Sequence, residues 1–141
     1  MFDKYIVCED SLRTTDAART SGVVEVRMPY YRGLGLSMVE GVDLVVDGSP
    51  VPAAATTFAV HGRRYAMTEL PTVFDDRWEM GERAEVGFTL PGPLAPGDHE
   101  VTAAVRLRIS YMPVPGGGRD RKRLILSDEA GPRLASAGSS R

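Results

Sequence analysis

The residues that could do chemistry in this sequence are few and scattered. His61 and His99 are its two histidines, one before Gly62 and the other after Asp98. Isolated histidines hold a metal only where carboxylates converge on them, so both read as solvated turn residues. Cys8, the single cysteine, has no partner for an internal disulfide. In an apolar run it reads as a small core residue, not a nucleophile. Asp75, Asp76 and Glu79 beside Trp78 have the residue types of a paired-carboxylate site next to an aromatic platform. Glycosidases need two carboxylates facing each other across a sugar. Adjacent residues of an extended chain point to opposite faces, so Asp75 and Asp76 diverge and the segment reads as a solvated loop. Gly33-Leu34-Gly35 lacks the third glycine and the following helix of a dinucleotide fingerprint. No base–nucleophile set can be assembled.

What stands out instead is interface chemistry on connections. Tyr30, Tyr31, Arg32 and Gly33 form one such segment, Tyr111, Met112 and Pro113 another, and Trp78 a third point. Tyr, Trp, Met and Arg are enriched in protein interfaces, covering much area while keeping a polar tip. The same residues can also cap the ends of a core, and the pattern leaves both readings open. Arg119, Arg121, Lys122 and Arg123 follow three glycines and read as a loop facing an acidic partner surface, or as a solvated segment.

The elements that must position these residues are short strands between turns. Residues 2–8 read as a strand and 12–20 as a loop. In 23–28, Val24, Val26 and Met28 share one face and Val23, Glu25 and Arg27 the other, the period of a half-buried strand. Val42–Val46 leads into Asp47-Gly48, a tight-turn signal. Thr57–Val60, His61-Gly62 and Arg63–Tyr65 form a second hairpin. Thr68–Pro71 suits a single helical turn. Ala84, Val86, Phe88 and Leu90 alternate again, and 91–98 is a Pro/Gly loop. The clearest strand is 99–111, long enough that it should bend or cross between sheets. Residues 112–118 read as a flexible connection, 122–126 as a last strand and 128–141 as a disordered tail. The expected fold is all-β: an antiparallel β-sandwich or flattened barrel over residues 1–127, with few or no helices.

A chain of 141 residues and net charge −2 can build a core without staples and lacks the electrostatic footprint of a nucleic-acid binder. No apolar run is long enough to span a bilayer, and Met1-Phe2-Asp3-Lys4-Tyr5 has no signal-peptide core. The expectation is a soluble cytoplasmic protein.

At several segments the sequence resembles the small (β) subunits of bacterial C-glycoside deglycosidases. These are the opening residues 1–13, Arg27-Met28-Pro29-Tyr30-Tyr31-Arg32-Gly33 with Leu36-Ser37, Val39-Glu40 and the Val46-Asp47-Gly48 turn. Further on are Leu94-Ala95-Pro96-Gly97-Asp98-His99-Glu100-Val101 and Leu107-Arg108-Ile109-Ser110-Tyr111-Met112-Pro113. The likeness runs to about residue 126. No single motif is a chemical signature; order and spacing carry it.

The resemblance implies an all-β subunit of a heteromeric lyase-type enzyme, paired with a larger α subunit. That partner is a TIM-barrel protein similar to sugar isomerases, and it holds a divalent metal, usually Mn2+, with the acid/base residues. The implied substrate is a 3-keto C-glycoside of a flavonoid-type polyphenol, and the implied reaction breaks the C–C bond between sugar and aglycone. A C–C bond offers no leaving-group oxygen to protonate. A ketone at C3 acidifies the C2 proton, so a base and a source of charge stabilisation can start the cleavage. No cofactor is expected in this chain, no catalytic residue, and neither nucleic acid nor membrane as partner. Tyr30–Gly33, Trp78 and Tyr111–Pro113 become the candidates for the partner contact and the substrate entrance. The alternative is a free-standing carbohydrate- or polyphenol-binding module with Trp78 as its stacking platform.

Overall fold

The computed structural model describes residues 5–30, 33–108 and 116–126. The described residues form eleven strands: β1 Arg13–Thr14, β2 Ser21–Arg27, β3 Leu34–Gly35, β4 Val39–Val46, β5 Ser49–Val51 and β6 Thr56–Val60. They continue with β7 Arg63–Ala66, β8 Arg77–Trp78, β9 Arg83–Thr89, β10 Gly97–Leu107 and β11 Gly116–Leu126. A five-stranded sheet runs β1-β2-β9-β6-β7, a four-stranded sheet β11-β10-β4-β5, and β3 and β8 make a small pair. All named strand pairs are antiparallel.

The alternation read from the sequence decides which face is buried. Val24 and Val26 of β2 stand opposite Val86 and Ala84 of β9. These four and Phe58 of β6 point into the same hydrophobic cluster as Val42, Leu44 and Val46 of β4 and Val101, Ala103, Val105 and Leu107 of β10. One core therefore lies between the two larger sheets, the sandwich arrangement. Full burial of each valine, leucine or phenylalanine among them contributes about 1.5–3 kcal/mol.

Both expected tight turns form. Asp47 and Gly48 have φ of 51° and 83°, His61 and Gly62 of 55° and 77°. Positive φ at both central positions is what a two-residue hairpin turn needs to match the strand twist. Thr68–Pro71 lies inside a 3-10 helix, Met67–Thr72.

Four segments differ from the sequence reading. The described part of 2–8 is not a strand. It meets β2 at one bridge, Val7 with Val26, although Ile6, Val7 and Cys8 are buried. Its backbone is divided between two sheets: the Cys8 N–H donates to the Glu25 carbonyl, while the Val7 N–H turns to the Asp120 carboxylate at 2.9 Å. The 12–20 loop contains the two-residue β1. β10 stays in one sheet, with a register irregularity between Arg106 and Leu107, and residues 109–111 lie outside the described residues. β11 starts at Gly116, within the stretch read as a flexible connection. At Gly117 φ is +133°, and a Cβ would lie 1.8 Å from the Val105 carbonyl oxygen. A glycine there lets β11 lie close against β10, so what reads as a linker is a strand. The tail 128–141 lies outside the described residues.

Candidate functional site

Three of the sequence's candidate residues gather where β2 and β6 finish and β9 starts. Trp78 enters through β8, paired with Leu34 of β3. It is fully buried. Its ring meets the Phe58 ring edge-on at 5.1 Å and 74°, and Nε1 donates to the Glu82 carbonyl at 2.7 Å. The expectation of an exposed aromatic is thus corrected. With its ring in the core, Trp78 offers no stacking platform, and the binding-module alternative loses its central residue. Tyr30 is also buried, within the same cluster, and is likewise no surface residue. Gly33 is packed against Glu79: a Cβ on it would lie 2.0 Å from Oε1 and 2.9 Å from Cα of that residue. Tyr31, Arg32, Tyr111, Met112 and Pro113 lie outside the described residues.

The loop 73–82 is tied down by its acidic residues. Asp76 accepts hydrogen bonds from His61 Nδ1 at 2.8 Å, the Tyr65 hydroxyl at 2.7 Å and the Arg77 N–H at 2.9 Å. Its carbonyl accepts the Leu36 N–H at 3.0 Å. Glu82 accepts from His61 Nε2 at 2.5 Å and from the Glu79 N–H at 2.9 Å. Both ring nitrogens of His61 therefore face carboxylates. Only the imidazolium donates at both, and the hydrogen bonds to Asp76 and then Glu82 raise the His61 pKa above its usual value. Burial by itself would raise the Asp76 carboxyl; the bonds from Tyr65 and His61 outweigh it and hold that carboxyl below its ordinary value. As the sequence indicates, Asp75 diverges. It is largely exposed and reaches Arg63 at 3.4 Å.

The second histidine corrects the reading of a solvated turn. His99 is buried, with Nδ1 2.6 Å from the Asp47 carboxylate and Nε2 2.5 Å from the Ala95 carbonyl. Burial opposes its charge, but the bonds to Ala95 and Asp47 prevail and raise its pKa. Cys8 is buried as expected, and burial pushes its thiol up. Among the described residues no group of three or more His, Cys, Asp or Glu is placed to hold a metal ion. The histidines explain part of this, since a nitrogen committed to a carboxylate or carbonyl has no lone pair for a cation.

Two surface features were missed or misread. Phe74 is 83% exposed and Met80 56%; the mixed run from Phe74 to Met80 has no periodicity that singles either out, and the inward turns of Val73 and Asp76 leave Phe74 outside. The basic run is strand, not loop. Arg119, Arg121 and Arg123 alternate outward on β11, while Lys122 turns inward to the Asp120 carboxylate.

The architecture defines a small antiparallel sandwich in which both histidines are spent on bracing its own turns and loops. The chain belongs to the C-glycoside deglycosidase beta subunit family, which it matches over residues 2–111. It is 37% identical over 117 residues to a 3'-dehydrocarminate deglycosidase beta subunit of a Microbacterium species, covering 82% of this chain and 85% of that one. It is 35% identical over 115 residues to a C-glycoside deglycosidase beta subunit of Microbacterium trichothecenolyticum, covering 79% and 82%. A beta subunit of Eubacterium cellulosolvens is 33% identical over 89 residues, 63% of this chain and 60% of that one.

Proposed function

We propose that this chain is the supporting subunit of a heteromeric C-glycoside deglycosidase acting in the cytoplasm. Its larger partner is a TIM-barrel subunit that carries the divalent metal, in our reading Mn2+, and the acid/base groups. The complex cleaves the C–C bond between a 3-keto sugar and a polyphenol aglycone, as a lyase. The observation that carries this reading is the family match across most of the chain. One relative is named for a 3'-dehydro substrate, which supports the oxidised sugar. The non-catalytic role is supported by the engagement of both nitrogens of both histidines within the fold, which leaves neither imidazole poised to take a substrate proton.

In this division of labour the sandwich contributes a rigid surface and braced loops around the substrate entrance. Tyr31, Arg32 and the Tyr111–Pro113 segment remain contact candidates. Expressing the partner with and without this chain tests the proposal. The expected result is an active, soluble complex and a partner that loses activity or solubility alone. Full turnover of 3-keto C-glycoside by the partner alone would remove the supporting role. Turnover by this chain alone would remove its non-catalytic character.

A further inference from the structure

The loop 73–82 is pinned from the inside and presents two large apolar side chains among charged ones on the outside. Val73 and Trp78 are buried, and the Asp76 side chain is almost entirely covered. Between and beyond them Phe74, Asp75, Arg77, Glu79 and Met80 are exposed. The charged members of that outward row already have opposite charges nearby: Asp75 meets Arg63 at 3.4 Å and Arg77 meets Glu79 at 3.0 Å. Phe74 and Met80 are the two large apolar side chains left open to solvent on this loop.

An exposed aromatic on a frayed loop would carry little meaning. This loop is held through Leu36, His61, Tyr65 and the Trp78 indole. A rigid aromatic presented in one place costs little further ordering when it is covered, and large aromatic anchors ringed by polar contacts are the usual centre of a protein interface. Other surfaces are less suited. The outward face of the five-stranded sheet is a lattice of ion pairs, with Arg13 on Glu85 and Arg83 on Glu25. The outward row of β11 also exposes Ile125, but in line with Arg119, Arg121 and Arg123, of which Arg121 lies 3.8 Å from Glu100.

We propose that Phe74, seconded by Met80, inserts into an apolar pocket of the partner subunit, with the Arg63–Asp75 and Arg77–Glu79 pairs forming a polar rim. This rests on the reading of the chain as a supporting subunit. The occupant is apolar because the surrounding charges are already matched, so the contact should depend weakly on salt.

The test uses the full-length chain co-expressed with its partner subunit, followed by a dissociation constant for the purified pair. Phe74→Ser should raise Kd by about 30-fold or more. Phe74→Leu should stay within about threefold of wild type, and Met80→Ser should fall between the two. Going from about 0.1 M to about 0.5 M sodium chloride should shift Kd by less than about threefold. The melting temperature of the free Phe74→Ser chain should match wild type, separating lost contact from lost folding. A complex that forms with wild-type affinity despite Phe74→Ser overturns the inference and leaves the subunit reading standing. A wild-type chain that forms no complex overturns the subunit reading itself. Self-association of the wild-type chain that Phe74→Ser abolishes would assign the pocket to a second copy and overturn the partner assignment. A steep salt dependence would move the contact to the arginine row of β11.

Discussion

The two histidines each tie down a tight hairpin turn of this sandwich, with their roles exchanged. At the β6–β7 turn the histidine is the turn residue, and the loop 73–82 brings the carboxylates to it. At the β4–β5 turn the carboxylate is the turn residue, Asp47, and β10 brings the histidine. Both turns need a first residue in the left-handed region. Asp and His are among the non-glycine residues that tolerate it, so each turn puts a polar side chain where it can be used. The surroundings differ. The His61 side chain is 42% exposed and that of His99 is 10%. A buried tie contributes to global stability, whereas a half-exposed tie mostly fixes the shape of what it holds. Water screens the charges of the second kind and replaces its hydrogen bonds at little cost.

The largest way to break this comparison is to remove the apolar pivot under the His61 tie. Trp78→Ala empties a fully buried site against Phe58 and should cost about 3–5 kcal/mol in denaturant unfolding. A loss below about 1 kcal/mol would mean that the loop end is not continuous with the core. His99→Ala comes next. It removes a buried ring, leaves the Ala95 carbonyl without that donor and leaves the Asp47 carboxylate with the Glu100 N–H, for an expected loss of about 2 kcal/mol.

Titration sharpens the contrast without a cavity. Both histidines have folded pKa values raised above the ordinary 6.5. The folded state therefore holds their protons more tightly than the unfolded state. The resulting stability is complete below about pH 6.5 and is lost as pH rises through the folded values. Unfolding free energy should fall between neutral and mildly alkaline pH, and His99→Gln should flatten most of that slope because His99 is the less screened. A slope that survives His99→Gln but vanishes in His61→Gln would reverse the assignment of global and local roles.

How legible this was depends on the range of the interactions involved. β2, β9 and both hairpin turns could be read because period-two alternation and the Asp47-Gly48 and His61-Gly62 dipeptides are local signals. Trp78 misled because its neighbours Asp76, Arg77 and Glu79 read as surface. Its burial is decided by Phe58, twenty positions earlier in sequence, and by the inward pull of His61 and Tyr65 on Asp76. The same long-range ties, which fix this end of the molecule, carry no local signature. The glycines that open β11 misled for the opposite reason. Gly117 was read for its freedom, and the fold uses its lack of a side chain against Val105.

The finest test is His61→Gln. A carboxamide donates from a single nitrogen and does not carry charged N–H groups at two separate ring positions, so it does not reproduce the bridge between the two carboxylates. The melting temperature should move less than in His99→Ala. The loop should loosen locally, because Arg77 and Glu79 direct their amide protons onto the side chains of Asp76 and Glu82. When His61 no longer holds those carboxylates, hydrogen exchange at the two amides should quicken while the core strands keep their protection. Unchanged exchange there would show that Tyr65 and Leu36 hold the loop by themselves. If exchange quickens and partner affinity also falls with Phe74 intact, the histidine's role is to hold that ring ready, and the exposed tie is the one that serves assembly.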